Sequence, residues 1–371
     1  MQTIGKFAIF VLLVLGLSLC TKLQIMVYNT PRNTYEKRFI GKKVYDENTE
    51  KEWKGSWRRA DSITLNVTLP YKEKGSYDFE DTEASAFEFK GKAGEIIAIS
   101  LESDLDFFVE IYKKGYKSKA IKSYETGISG IAEINVKEDS DYLLKIQPKL
   151  MSYGEYTLNI YKRPQMIFPV LGAGNDAVKS FFGDTRDAGK RTHIGVDIFA
   201  EKGTPILSTV NGIAFKGSGK LGGKTVWVHN AIKGISAYYA HLDSQFVEHD
   251  KVSIGDTLGT VGNTGNAITT APHLHFGIYK RGKGPLDPYP FIKKTETSTG
   301  KINRLFLYTL VRLKHPSSID LETQFSVDTS TTFKIMAVTE NKVRVRPVGR
   351  YKDILISKQN IYPLNHETDI E

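Results

Sequence analysis

Residues 272–276 read Pro272-His273-Leu274-His275-Phe276, and a second histidine-led stretch reads His193-Ile194-Gly195-Val196-Asp197. On a strand, residues two apart point to one face about 6.6 Å from each other, so His273 and His275 look into one cleft. His193 and Asp197 would lie about 13 Å apart on a straight strand, so bringing both to one ion requires the chain to bend, which Gly195 permits. The chain has 8 histidines, and six of them (His193, His229, His241, His249, His273 and His275) fall between positions 193 and 275 with none before. Such clustering invites a metal reading. Two His and one Asp with an open fourth position form a catalytic zinc arrangement, because structural zinc sites are usually closed by four protein ligands rich in Cys. The chain has 1 cysteine, Cys20, far from these stretches. An open zinc lowers the pKa of its water toward about 7 and polarises a carbonyl, which is the chemistry of amide hydrolysis. No His-Glu-x-x-His helix supplies a glutamate base, so the spare histidines are the candidates for proton transfer.

Working outward, the pattern is mainly β. Ile63, Leu65, Val67 and Leu69 alternate with polar residues, as do Phe107, Val109 and Ile111, then Ala132, Ile134 and Val136, Tyr142, Leu144 and Ile146, and Tyr156, Leu158 and Ile160. Half-buried strands with Gly, Asp and Ser turns between them predict an antiparallel β-sandwich over residues 61–163. Through Asp104-Leu105-Asp106-Phe107-Phe108-Val109 and Gly154-Glu155-Tyr156-Thr157-Leu158 this region resembles the pre-peptidase C-terminal sandwich modules of secreted bacterial peptidases. Asp104 and Asp106 read as solvated turn residues rather than as a calcium site. Residues 164–292 carry 19 of the 32 glycines, between Gly172 and Gly284, and tight turns are therefore expected there. Residues 293–301 read as a linker. Residues 302–371, with strands expected at 333–338, 343–346 and 353–357, look like the small SH3-like β-barrels of wall hydrolases. Residues 21–60 have no sustained helical or strand period and read as a tether.

The resemblance becomes specific over residues 164–292. His193-x-x-x-Asp197, Tyr239-Ala240-His241-Leu242, Val261-Gly262-Asn263-Thr264-Gly265 and Pro272-His273-Leu274-His275-Phe276 resemble, in order and spacing, the M23 or LytM-like (lysostaphin-type) zinc metallopeptidases. The resemblance implies an antiparallel sheet with a groove, one zinc held by His193, Asp197 and His275, and a catalytic pair, His241 and His273, that orients water and stabilises the oxyanion. It also implies peptidoglycan as substrate, its peptide cross-links being hydrolysed. Two other classes stay open: a non-catalytic LytM-like regulator that activates a wall amidase, and a wall-binding scaffold. His229 and His249 receive no role, and Gly262-Asn263-Thr264-Gly265 is turn chemistry, lacking the lysine and helix of a phosphate loop.

Length and composition agree. The 371 residues suit two or three domains, and 40% hydrophobic with 25% charged residues exclude a disordered or polytopic membrane chain. A net charge of +9 favours acidic partners, but no Arg/Lys run long enough for a nucleic-acid arm is present, and nucleic acid is set aside. Lys6 followed by the uncharged stretch 7–19 reads as a signal peptide within residues 1–20, shorter than a membrane span, and implies export. Cys20 closes that stretch and resembles the lipidated cysteine of bacterial lipoproteins, an expected lipid anchor to the membrane in the cell envelope, facing periplasm or wall. Leu19 stands where such signals usually carry a small residue, so ordinary cleavage nearby and an uncleaved short anchor remain rivals.

Overall fold

A computed structural model of the chain describes residues 30–115, 119–126, 129–186, 189–295, 309–315 and 329–364, with Ile302 and Leu307. Cys20 and the expected signal peptide, and residues 296–301 of the expected linker, lie outside the described residues. Among the described residues no helix is long and apolar enough to cross a membrane.

The strands of the first half build a five-stranded sheet and, facing it, four strands of a nine-stranded sheet. Phe87, Phe107, Val109 and Ile146 from the first meet Ile97, Ile99, Leu158 and Ile160 from the second in one buried cluster. Each such side chain contributes about 1.5–3 kcal/mol when fully buried.

Residues 31–59 depart from the expected tether. They form two helices, Pro31–Phe39 and Glu47–Arg59. Their N-caps are legible after the fact: Thr30 accepts from Asn33 N with Pro31 at the first position, and Asp46 accepts from Thr49 N. The apolar stripe is what the sequence lacks, because the second helix buries only Glu50, Trp53 and Ser56. Tyr35 and Trp53 cover Phe108, an outward-facing residue of the five-stranded sheet, and Trp53 Nε1 donates to the Pro148 carbonyl at 3.0 Å. Tertiary packing thus stabilises helices whose buried face carries few apolar residues.

The C-terminal strands also differ from expectation. They do not close into a separate barrel among the described residues. One edge of Phe333–Val338 pairs with Lys342–Pro347; the other is shared by Leu310–Leu313 and by the sandwich strand Tyr71–Tyr77, through Gly75↔Ala337 and Lys74↔Val338. The nine-stranded sheet therefore runs from sandwich into C-terminal segment, which satisfies edge amides that would otherwise be open. A buried ion cluster fastens the junction. Arg344, 1% exposed, donates through Nε and Nη2 to the two oxygens of Glu73, 0% exposed, at 3.0 and 2.9 Å, and also hydrogen-bonds Asp353. Tyr71 and Tyr156 donate to the same Glu73 carboxylate. Arg344→Met is expected to strand the buried Glu73 carboxylate, while Asp353 keeps Arg346, and to cost about 3–5 kcal/mol, read as a lower denaturant midpoint for the sandwich.

The residues between them in sequence, 178–286, form a separate ten-stranded sheet. Its buried face packs Val196, Ile198, Leu274, Phe276, Ile278, Tyr239, Val226, Val228 and Ala214 into one core. Because alternate residues face opposite sides, the register fixes what lies on the open face. Asp197 pairs with His275, Ala240 with His275, Tyr238 with Gly277, Trp227 with Tyr238 and Phe215 with Trp227.

Candidate metal centre

The open face of that sheet carries every site residue expected from the sequence. Asp197, on Val196–Phe199, sits directly across from His275, on His273–Lys280. His193 lies outside any strand, just after Arg191–Thr192, and the chain turns over Ile194 and Gly195 to bring it back. Gly195 is needed for space: a Cβ there would meet the Phe276 carbonyl oxygen at 2.5 Å and His275 Cε1 at 2.7 Å.

Three donor atoms converge. His193 Nε2 lies 3.1 Å from Asp197 Oδ1 and 3.0 Å from His275 Nδ1, and His275 Nδ1 lies 3.0 Å from the same oxygen. Among the described residues these three form the group able to hold a metal ion. His193 Nδ1 lies 2.8 Å from the Phe181 carbonyl; a carbonyl only accepts, so the proton is on Nδ1 and Nε2 turns a lone pair toward the carboxylate. A lone pair and a carboxylate oxygen at that separation repel unless a cation lies between them. The set of two imidazole nitrogens and one carboxylate oxygen, without thiolate, fits zinc with a further position left for water or substrate. Burial pushes the Asp197 carboxyl up; were both imidazoles protonated in place of a bound cation, their hydrogen bonds and charges would outweigh it and hold the group well below the usual carboxylate range. Burial pushes His275 down against the opposing pull of Asp197.

His241 reaches the open face by an irregularity. Strict alternation would place it beside Tyr239 in the core. Instead Val226 pairs with Tyr239 while Lys224 pairs with Leu242, so the His241 strand has one residue more than its partner, a β-bulge. His241 takes the extra place with φ at 66°, a left-handed conformation that costs about 1–3 kcal/mol and is held by its surroundings. Tyr239 and Leu242 both remain in the core. His241 Nδ1 donates to the Thr264 carbonyl at 2.9 Å, and His273 Nδ1 to the Ala271 carbonyl at 2.8 Å, which leaves both Nε2 atoms as acceptors. Their rings are 5.0 Å apart, and His241 is 6.0 Å from His275. Burial pushes His241 down to about 4, against the raising effect of the Thr264 carbonyl. The Thr264 carbonyl is placed by two touching glycines with positive φ: a Cβ on Gly223 would meet Gly265 N at 2.5 Å, and one on Gly265 would meet Gly223 N at 2.3 Å.

His229 and His249 stay apart from this cluster. His229 Nδ1 pairs with Ser236 Oγ at 2.7 Å, and both rings flank Phe215. Three residues that the sequence reading passed over belong to the site face. Tyr238 lies 6.0 Å from His275 and 4.4 Å from Trp227, ring to ring, forming a half-buried floor beside the cluster. The period of two along 223–230 and 235–240 contained that signal. Arg186 reaches Asp197 from a short hairpin, and no local pattern announces it.

Residues 191–288 match Peptidase family M23. The chain is 30% identical over 210 residues to the L-Ala-D-Glu endopeptidase of Bacillus subtilis, which covers 45% of this chain and 64% of that one. It is 36% identical over 99 residues to the DD-carboxypeptidase/endopeptidase Mpg of Neisseria meningitidis, covering 26% of this chain and 22% of the relative. The chain thus spans less than two thirds of either relative. Among solved structures it is similar to the catalytic domain of the antimicrobial peptidase lysostaphin from Staphylococcus simulans, at 29% identity and a TM-score of 0.28, covering 31% of this chain and 92% of that domain. His193, Asp197, His241, His273 and His275 all lie inside the stretch that matches Peptidase family M23.

Proposed function

We propose that the chain is a zinc-dependent endopeptidase that hydrolyses the peptide cross-links of bacterial peptidoglycan. The observation that carries the reading is the pairing, on one open sheet face, of a three-donor cluster with two histidines whose Nε2 atoms are free acceptors. His193, Asp197 and His275 would hold one zinc. When bound, zinc supplies Lewis acidity toward a carbonyl and acidifies water.

The chain's own residues do the rest. One of the pair, His241 or His273, each with its Nδ1 proton committed to a backbone carbonyl, accepts at Nε2 the single proton released by the attacking water as its oxygen bonds to the scissile carbon. The imidazolium so formed lies beside the developing oxyanion, and its proton passes to the departing amine as the C–N bond breaks. Burial keeps His241 neutral until the reaction protonates it. The backbone carbonyls of Thr264 and Ala271 hold the two rings against rotation. Tyr238 and Trp227 supply a flat floor along which an extended peptide can lie, and Gly277, opposite Tyr238, leaves that floor open.

We place the protein in the cell envelope, exported and anchored through lipid on Cys20; the intact mass of the protein recovered from cells tests the anchor. The activity test is mass analysis of fragments released from purified peptidoglycan by the full-length, zinc-loaded chain. New amino termini within the cross-links are expected from at least one of two substrates, walls joined through D-alanine to a diamino acid and walls joined by glycine bridges. No release from either by the chain alone, with faster release when a wall amidase is added, would replace this reading with that of a regulator.

A further inference from the structure

We propose that Arg186 is a positioning residue that selects which oxygen of Asp197 faces the metal, an inference that rests on the zinc reading above. Arg186 precedes the family match, which begins at residue 191. It lies on Thr185–Arg186, paired with Arg191–Thr192 in a hairpin over the edge of the site. Its Nη2 donates to Asp197 Oδ2 at 2.6 Å, whereas the other oxygen, Oδ1, is the one 3.1 Å from His193 Nε2 and 3.0 Å from His275 Nδ1. The carboxylate is divided between two tasks, one oxygen for the guanidinium and one for the donor cluster.

The guanidinium is itself held. Ser180 Oγ accepts from the same Nη2 and donates to Asp184 Oδ2 at 3.0 Å. Asp184 Oδ2 accepts from Phe181 N at 2.7 Å, and the Phe181 carbonyl accepts a hydrogen bond from His193 Nδ1. Ser180 is also the cross-strand partner of Asp197. One short loop therefore orients two of the three donors, and Arg186 Nη2 stands 3.1 Å from His193 Nδ1 at its centre. A carboxylate beside a divalent cation can swing until both oxygens coordinate, which raises the coordination number and takes the place that water or substrate needs. A charge-assisted bond to Oδ2 opposes that swing and keeps Asp197 monodentate. The side chain of Asp197 is 13% exposed and that of Arg186 34%, so solvent screens part of the attraction, while the geometric constraint is kept.

The test uses the full-length chain with zinc and, separately, cobalt. Arg186→Gln should lower zinc affinity about 10- to 100-fold in competition with a chelator, and should weaken the visible absorption of the cobalt form, because high-spin cobalt absorbs less as its coordination number rises above four. Arg186→Lys, which restores the charge as a point without the fork, should recover part of both. Circular dichroism is expected to be unchanged in both variants, since Arg186 sits at the surface end of the hairpin. Unchanged zinc affinity in Arg186→Gln would overturn the proposal. Lower affinity with an unchanged cobalt spectrum would overturn it as well, because Arg186 would then act as a charge and not as a selector of oxygens. Wild-type protein that takes up no zinc would instead overturn the underlying reading of the site.

Discussion

Asp197→Ala is expected to leave the purified protein essentially without zinc. The three donors stand 3.0–3.1 Å from one another, and with an open fourth position no protein ligand is spare to replace one that is lost. Asp197 is the one anionic donor among the three, and its removal would also leave the Arg186 guanidinium unpaired beside two imidazoles. A cation would then enter a site with a net positive neighbour. His193→Ala and His275→Ala should lose most of the affinity too, yet less completely, since the carboxylate stays to offset Arg186. Asp197→Asn separates the effects, keeping shape and a carbonyl oxygen while removing charge, and should lie between the alanine variant and wild type. Metal analysis after dialysis against a weak chelator reads all four. Full zinc content in the three alanine variants would show that the donor cluster is not the metal site.

The second large effect is expected at His241 and His273, and it should be of a different kind. Neither ring contributes to the three-donor cluster, so alanine at either position should leave zinc at wild-type content. Hydrolysis of cross-linked muropeptides should fall by about 10²-fold or more if the removed group transfers the proton or faces the oxyanion. Zinc content and turnover measured on one preparation distinguish this from loss of metal. His241 also makes a pH prediction. Burial lowers its pKa to about 4, so the neutral, proton-accepting form persists as pH falls and is lost only near that value. The part of the acid limb that His241 controls is therefore expected near pH 4, well below the 6.5 of an ordinary histidine. His241→Ala has a structural side as well: it removes a bulky residue from a left-handed position, and alanine is tolerated there less well than histidine or glycine. His241→Gly relieves that strain while removing the imidazole, so equal loss of turnover in both variants would assign the effect to chemistry and not to the backbone.

Several features of this protein could be read locally. Period-two alternation marked the strands at Phe107–Lys113, Ser129–Asn135, Ser140–Pro148 and Gly154–Pro164, because a half-buried strand carries its own in-and-out pattern, whereas the alternation over 63–69 yields only Leu65–Asn66. His273 and His275 share a face for the same reason, and the order of the five motif residues pointed to the M23 domain before any packing was known. What failed was decided over distance. The helices Pro31–Phe39 and Glu47–Arg59 are held by Arg32 on the first and Trp53 on the second, which meet Gln147 and Pro148 about a hundred residues on, partners that the helical sequence does not name. The C-terminal strands looked like a self-contained barrel because each strand alternates correctly, but the choice of edge partner belongs to Gly75 and to the buried pair Glu73 and Arg344. Alternation states which side of a strand is apolar and says nothing of which strand lies beside it.

The site divides in the same way. Residue types and order in the sequence singled out His193, Asp197, His241, His273 and His275, which the fold brings to one sheet face, and the need for the chain to bend near Gly195 followed from strand geometry alone. Tertiary structure decided how His241 arrives. A bulge of one residue reverses the face that alternation assigns, and it forms only because the neighbouring strand pairs on both sides of it with a register that differs by one. Tertiary structure likewise chose the oxygen of Asp197 that faces the histidines, through a guanidinium eleven positions earlier that strand periodicity does not relate to it. Side-chain type is a local property carried by the sequence, whereas register, bulges and second partners are set by hydrogen bonds between segments that meet only when the chain has folded.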